Sequence, residues 1–160
     1  MEEEDVYESL IDWFEETFEP AWSHPTHKKH LIRIHDDPKR KGAEADLCFG
    51  GKKSGKYKLS DIIHVKTRDN LNNSDNEQRK LVHKAKQTLN GSPKVWVAIE
   101  KSSYVLIKDD LDEKIGIIVY DEVGNKAHNF LIQKAAVEAE PKFLNLTNQN
   151  INRELGLELD

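Results

Sequence analysis

The stretch LSDIIHVKTRDN, residues 59–70, is an apolar run that carries two polar side chains, His64 and Lys66, and then enters a charged loop. An unpaired buried ammonium group is costly, so Lys66 needs either a solvated strand end or a functional role. The alternation predicts a strand over residues 58–67. One side of this strand carries Leu59, Asp61, Ile63 and Val65, and the other carries Ile62, His64 and Lys66. Both sides are largely apolar, which is typical of a central strand.

Apolar spacing and turn residues predict the elements on both sides of this stretch. Upstream, we expect an amphipathic helix with an acidic outer face over residues 4–18, strands at 30–35 and 43–49, and a hairpin loop rich in Gly and Lys. Downstream, a helix begins at Ser74 or Asp75 and ends at Asn90, and a buried strand follows at 94–99. Further strands are predicted at 103–109, 114–121 and 128–133, with a short helix near the C-terminus.

The order of these elements predicts an α/β fold: helix, strand, strand, strand, helix, strand and then further β elements. With 160 residues and 37% hydrophobic content, the chain suits a single domain whose core needs no disulfides. Hairpins can join the first three strands into a meander. The strand at 94–99 follows a helical crossover and should therefore lie parallel to one of them.

Charge is distributed unevenly along the chain, although the net charge is only −5. Residues 1–20 contain nine acids and no Lys or Arg, whereas residues 28–68 contain twelve Lys and Arg and five acids. This basic zone is compatible with binding nucleic-acid phosphates, and the alternative is two solvated surfaces of opposite charge. A single cysteine, Cys48, and the absence of an apolar leader predict a cytoplasmic protein without a membrane segment.

Four polar residues of the two predicted strands at 43–49 and 58–67 can share one face of the sheet, because every second residue of a strand points the same way. They are Glu44, Asp46, His64 and Lys66. Carboxylate and imidazole groups can hold a divalent cation that activates a water, and a lysine can stabilise the attacking hydroxide or the pentavalent phosphate. The pattern therefore indicates a catalytic and metal site. The alternative is that Lys66 marks a solvated strand end with Asp46 as an ordinary partner.

The segments AEADLCF, residues 43–49, and SDIIHVKTR, residues 60–68, resemble the PD-(D/E)xK nuclease superfamily, which includes restriction endonucleases and archaeal Holliday junction resolvases. The resemblance covers residues 4–100 and leaves 101–160 as a β extension and C-terminal tail. It implies a restriction endonuclease-like mixed sheet flanked by helices. It also implies cleavage of DNA phosphodiester bonds with Mg²⁺ or Mn²⁺ as the cofactor.

Carried over residue by residue, the resemblance assigns Asp46 to the aspartate of the family and Lys66 to its lysine. The first helix of the family often contributes a further acid to the metal site. Glu8 is the best candidate for that acid, and Asp12 and Glu15 are alternatives.

The chain departs from the family pattern at His64, which stands where the family has an acid two residues before the lysine. A neutral imidazole suits Mn²⁺ or Zn²⁺ better than Mg²⁺. Three interpretations stay open: an altered metal preference, a replacement acid such as Glu44, or an inactive site retained as a binding surface. Gln78 matches a polar residue that some branches of the family place beside the site.

Basic residues around the predicted site are expected to meet DNA phosphates and to form a groove with Lys66 at its mouth. These are Lys28, Lys29, Lys39, Arg40, Lys41, Lys52, Lys53 and Arg68. A homodimer is also expected, because members of such families that cut both strands often dimerise. The alternative function is a catalytically inactive module that binds nucleic acid or a protein partner.

Overall fold

The computed structural model describes residues 1–26 and 30–157. Its helices are α1 (Glu4–Phe18), α2 (Arg68–Asn72), α3 (Asp75–Thr88), α4 (Tyr104–Ile107) and α5 (Leu144–Glu154). Its strands are β1 (Trp22–Pro25), β2 (Leu47–Lys53), β3 (Lys56–Lys66), β4 (Lys94–Glu100), β5 (Gly116–Val123) and β6 (Lys126–Lys134). A short 3-10 turn, Lys101–Ser103, joins β4 to α4.

The six strands form one mixed sheet in the order β1-β2-β3-β4-β5-β6. β2 is antiparallel to both β1 and β3, β4 and β5 follow parallel to β3, and β6 is antiparallel to β5. The predicted α/β class is confirmed. The predicted parallel placement of the strand after the crossover helix is also confirmed, because β4 pairs with residues 61–66 of β3.

Two predicted strands are wrong. The segment 30–35 makes a single bridge, Ile32 to Ala43, and the strand that pairs with β2 is β1 instead. Leu31 and Ile32 are buried, so their apolar pattern reflects core packing rather than strand pairing. The segment 103–109 is the 3-10 turn and α4, because a short apolar run does not distinguish a strand from a buried helical turn.

The two faces of the sheet carry separate hydrophobic cores. Helices α3 and α5 pack on one face, and α1 packs on the other, where Phe14 stacks on Phe49 with ring centroids 4.0 Å apart. A bulge shifts the β2–β3 register, so that Phe49 pairs with Asp61 and Gly50 pairs with Leu59. Leu59 therefore lies in the α3-side core, and its predicted placement on the face of Ile63 is wrong.

Helix α5 supplies hydrogen bonds to the part of β3 that extends beyond β4. Asn152 accepts from the backbone N–H of Tyr57 at 2.7 Å and donates to its carbonyl oxygen at 2.9 Å. Asn148 accepts from the backbone N–H of Leu59 at 3.0 Å. These two amides take the place of a neighbouring strand along residues 57–59, and they position the C-terminal helix that the sequence predicts.

We expect Asn152→Ala to lower the free energy of unfolding by about 2–4 kcal/mol, because it leaves a partly buried backbone N–H and C=O of Tyr57 without their partners. Urea unfolding measures the loss as a shift of the midpoint at constant slope. Asn145→Ala, an exposed asparagine on the same helix, is the matched control and should change stability little. Equal effects of the two substitutions would contradict the role given to Asn152.

Candidate functional site

A cavity of about 200 Å³ lies at the end of the sheet where β2 begins and β3 ends. Four segments contribute to its wall: the start of α1, the loop before β2, the end of β3 and the middle of α3. The lining residues are Glu3, Glu4, Tyr7, Glu44, Ala45, Asp46, His64, Val65, Lys66, Leu81 and Lys84. All four residues predicted as the catalytic set, Glu44, Asp46, His64 and Lys66, are among them. Glu44 and Asp46 reach the cavity from the loop before β2, whereas the sequence places them within a strand.

Asp46 is held by two hydrogen bonds. Its Oδ1 accepts from the hydroxyl of Tyr7 at 2.8 Å, and its Oδ2 accepts from the backbone N–H of Val65 at 2.6 Å. Burial raises the pKa of Asp46 above its usual value, although the hydrogen bonds from Val65 and Tyr7 oppose this shift. The carboxylate is therefore fixed between β3 and α1. Tyr7 is not evident as a site residue in the sequence, where its one signal is its place beside Val6 on the buried side of α1.

Lys66 is an ammonium ion held between two acids that the sequence analysis missed. Its Nζ lies 2.9 Å from Oε2 of Glu77 and 3.7 Å from Oε1 of Glu3. Burial alone would lower the pKa of Lys66, but the hydrogen bond and charge of Glu77 and the charges of Glu3 and Asp46 raise it. The side chain therefore stays protonated and suits stabilisation of negative charge, not proton abstraction.

His64 is buried, and its Nε2 lies 3.0 Å from Oγ1 of Thr88 on α3. Burial, and then the positive charges of Lys84 and Lys66, lower the pKa of His64 to about 3. The imidazole is therefore neutral at neutral pH and cannot serve there as a general acid. Because Nε2 is engaged with Thr88, the geometry favours a packing role for this side chain over a metal-ligating one.

Glu44 lies at the rim of the cavity. Its carboxylate is 3.6 Å from Nε2 of His30 and 4.0 Å from Nζ of Lys84. It lines the same cavity as Asp46, but its charge is directed toward these two partners. Glu44 is therefore positioned to hold the loop before β2 against α3.

Glu8, the acid of α1 that was expected to complete the metal site, does not lie in the cavity. Glu8 is exposed and does not line the cavity, whereas Glu3 and Glu4 do. Glu3 and Tyr7 are four residues apart and share a helical face, but Glu8 is turned by about 100° from Tyr7. The alternatives Asp12 and Glu15 are exposed further along α1 and also do not line the cavity.

Gln78 does not line the cavity, and its side chain is engaged elsewhere. Its Nε2 donates to the carbonyl oxygen of Leu71 at 2.7 Å, which satisfies the C-terminal end of α2. Residues 68–72 were expected to form a loop, but they form the short helix α2, whose last turn Gln78 caps.

A cation in the cavity would keep part of its hydration shell, because the predicted ligands do not form a close group among the described residues. Within residues 1–26 and 30–157, one group of three or more ligand atoms lies close together, Glu2, Glu3 and Glu4 at the start of α1. Asp46, Glu44 and His64 do not form such a group. Mg²⁺ keeps several waters and needs one or two carboxylates, and the acids that line the cavity include Asp46, Glu3 and Glu4.

The predicted DNA-contacting residues lie in separate places. Arg68 pairs with Glu122 at 3.4 Å, the segment 39–41 is an exposed turn, and Lys52 and Lys53 lie at the end of β2. Lys28 and Lys29 lie outside the described residues. A strand of eleven residues spans about 33 Å, so β3 separates Lys52 and Lys53 from the cavity by most of the sheet. Lys52 and Lys53 therefore do not line the cavity with Lys66, and their contact with DNA phosphates stays a prediction.

The cavity is lined by four acids and two lysines, so it favours a cation over an unaccompanied phosphate.

In the described part of the chain, no helix has the length and apolar content needed to cross a membrane. Comparison with protein-family models, with curated proteins and with solved structures found no significant match to this chain.

Proposed function

We propose that the protein is a metal-dependent nuclease-like protein that acts on DNA phosphodiester bonds at the cavity of Asp46 and Lys66. The observation that carries the proposal is the convergence of Glu44, Asp46, His64 and Lys66 on one cavity. The element order α1, β1, β2, β3, α3, β4 supports it further, because the restriction endonuclease-like scaffold has this order once the short α2 is set aside.

In this proposal Asp46 and Glu3 hold a Mg²⁺ or Mn²⁺ ion, which when bound supplies Lewis acidity toward water and phosphate. Tyr7 and the backbone of Val65 orient the Asp46 carboxylate. Lys66, kept protonated by its acidic neighbours, stabilises negative charge that develops on the phosphate.

Glu77 holds Lys66 in place through the 2.9 Å contact, and it is a second candidate for the acid that His64 replaces. Glu44, the candidate that the sequence favours, is directed toward His30 and Lys84 instead. Of Glu44 and Glu77, it is Glu77 that contacts Lys66.

The second candidate function is a catalytically inactive module of the same fold that binds nucleic acid or a protein partner. The observation that favours it is the buried His64 in place of an acid, bonded to Thr88 instead of facing a ligand. In that case Asp46 and Lys66 are partners in a structural charge network.

A cleavage assay separates the two functions. The protein is incubated with plasmid, branched and single-stranded DNA in Mg²⁺ and in Mn²⁺, beside Asp46→Asn and Lys66→Met. We expect each substitution to slow cleavage by at least about 100-fold, because each removes charge at the reacting phosphate. Asp69→Asn and Lys126→Met change the same residue types at exposed positions and should leave the rate unchanged.

If no condition gives cleavage that both Asp46→Asn and Lys66→Met abolish, the protein is not a nuclease and the binding module becomes the better description. Binding of the same DNA molecules in the presence of a chelator then tests that second function. The homodimer stays a prediction, which sedimentation at several protein concentrations can test.

A further inference from the structure

The tip of the β2–β3 hairpin, residues 51–58, concentrates positive charge. Its turn is Ser54–Gly55, with φ of 54° and 77°, the left-handed geometry that a tight two-residue hairpin requires. Lys52 pairs with Tyr57 across the hairpin, and Lys53 pairs with Lys56. Opposed residues of an antiparallel pair point to the same side, so lysines project from both faces of the tip.

The tip lysines have no acidic partners among the residues that the structure describes. In the part of the chain that the structure describes, none of Lys52, Lys53, Lys56 and Lys58 forms an ion pair, and all four are exposed. No Asp or Glu occurs within the tip itself. Like charges opposed in this way destabilise a hairpin unless an anion neutralises them, so the tip suits a polyanionic partner.

Aromatic packing makes the tip a defined surface. Trp22 contacts Tyr57 with ring centroids 5.9 Å apart, and its Nε1 donates to the carbonyl oxygen of Gly51 at 2.7 Å. Nζ of Lys52 lies 5.1 Å from the centre of the Tyr57 ring. Asn152 of α5 fixes the backbone of Tyr57 from the other side.

The distance from the tip to the cavity matches the repeat of duplex DNA. Lys56 and Lys66 begin and end β3, and ten steps of a strand cover about 33 Å. One turn of B-form DNA covers about 34–36 Å, so phosphates about 10 base pairs apart return to the same side of the duplex. A straight duplex can therefore meet the cavity and the tip from one side.

Across the described residues, neither face of the sheet offers a basic path between the cavity and the tip. The exposed side of α1 is acidic and carries Glu4, Asp5, Glu8, Asp12, Glu15 and Glu16. On the opposite face, a groove beside α3 is lined by Arg79 and Lys86 but also by Asp75 and Asp110. The tip lysines are therefore the positive charges that a phosphate backbone meets at that end of β3.

We propose that the hairpin tip is a second contact for the phosphate backbone of duplex DNA, about one helical turn from the cavity. This inference rests on the proposed action on DNA, and it adds a minimum substrate length: a duplex shorter than about 10 base pairs cannot reach both sites.

Binding of fluorescent duplex DNA to a tip variant tests this inference in a buffer that contains Ca²⁺, a cation that carboxylate oxygens also bind. The variant carries Lys52→Gln, Lys53→Gln, Lys56→Gln and Lys58→Gln. The control carries the same change at four exposed lysines elsewhere, Lys101, Lys108, Lys114 and Lys126, and so has the same net charge. On a duplex of about 20 base pairs, we expect the tip variant to bind at least about 100-fold more weakly and the slope of log affinity against log salt to fall by about 3–4.

On a stem of about 6 base pairs, which can occupy the cavity or the tip but not both, the tip variant should lose much less affinity than it loses on the long duplex. Equal binding of the tip variant and the control to the long duplex would overturn the inference. So would an equal loss on the short stem, or wild-type binding to anionic lipid vesicles but not to DNA.

The experiments distinguish failure of the proposed cleavage activity from failure of the tip contact. If Asp46→Asn and wild type both leave DNA intact while the tip variant still loses affinity, the nuclease proposal fails and the tip contact stands. If cleavage depends on Asp46 while the tip variant binds as the control does, only the tip contact fails.

Discussion

Acid should destabilise this protein by about 5 kcal/mol between about pH 6.5 and about pH 3 through a single side chain, His64. Burial, and then the charges of Lys84 and Lys66, lower the pKa of His64 from 6.5 to about 3. Because the folded pKa lies below the unfolded one, the unfolded chain takes up the proton first. Neutral His64 therefore makes its full contribution to the free energy of unfolding above about pH 6.5. Below that pH the contribution falls by about 1.4 kcal/mol per pH unit.

Urea unfolding at a series of pH values measures this effect when wild type is compared with His64→Gln. Glutamine can still bond to Thr88 but binds no proton in this range, so the variant should have a shallower acid dependence by about 1.4 kcal/mol per pH unit. Asp46, whose raised pKa acts in the opposite direction, is common to both proteins. His83→Gln, an exposed histidine of α3, should keep the wild-type dependence, and parallel curves for wild type and His64→Gln would contradict the assignment.

Phe14→Ala should lower the free energy of unfolding by about 3–5 kcal/mol, the range for removing a fully buried phenylalanine. Phe14 stacks on Phe49 and also contacts Trp96 edge-on, with ring centroids 4.0 Å and 6.4 Å apart. It joins α1 to the sheet, and α1 carries Tyr7 to the cavity. The substitution therefore removes apolar contacts and leaves a cavity that its rigid neighbours do not fill.

Phe18→Ala is the matched control, since Phe18 lies one turn further along α1 and is 40% exposed. We expect it to cost about 1 kcal/mol, because much of its ring is already in contact with water. Urea unfolding with a constant slope gives both values. Similar losses for the two variants would mean that α1 is not anchored through Phe14.

Elements with strong periodicity were predictable from the sequence. The helix at residues 4–18 has the predicted bounds, and the helix that Ser74 caps ends within about two residues of its predicted end, as expected for helix boundaries. Ser74 accepts from the backbone N–H of Glu77, as a capping residue does. The predicted turn at residues 123–126 is also confirmed, because Val123 and Lys126 pair across it.

Short apolar segments were not predictable in the same way. The segments 30–35 and 103–109 have no period long enough to separate a strand from a buried loop or helical turn. Their conformation depends on which neighbours cover them. Ile32 is covered by the turn at Gly91, and Ile107 by the core beneath α4.

Local pattern sufficed to identify Asp46, His64 and Lys66 as unusual, because polar residues in an otherwise buried strand or beside it need a partner. The partners themselves are far away in the chain: Tyr7, Glu77 and Thr88 each meet their residue through packing of a helix on the sheet. Sequence separation hides such contacts from any argument based on periodicity.

Closeness in sequence likewise does not show which charged side chains lie close together in the fold. Lys52 and Lys53 are close to the site in sequence, but they lie at the end of β2, beside the start of β3 and far from Lys66. Each residue of a strand adds about 3.3 Å to this distance. In LSDIIHVKTRDN, the residues alone specified a buried strand with an unexplained lysine and histidine. The tertiary structure decided that the lysine lies between Glu77 and Glu3 in a cavity and that the histidine is neutral against α3, because burial and partners are set by packing between elements.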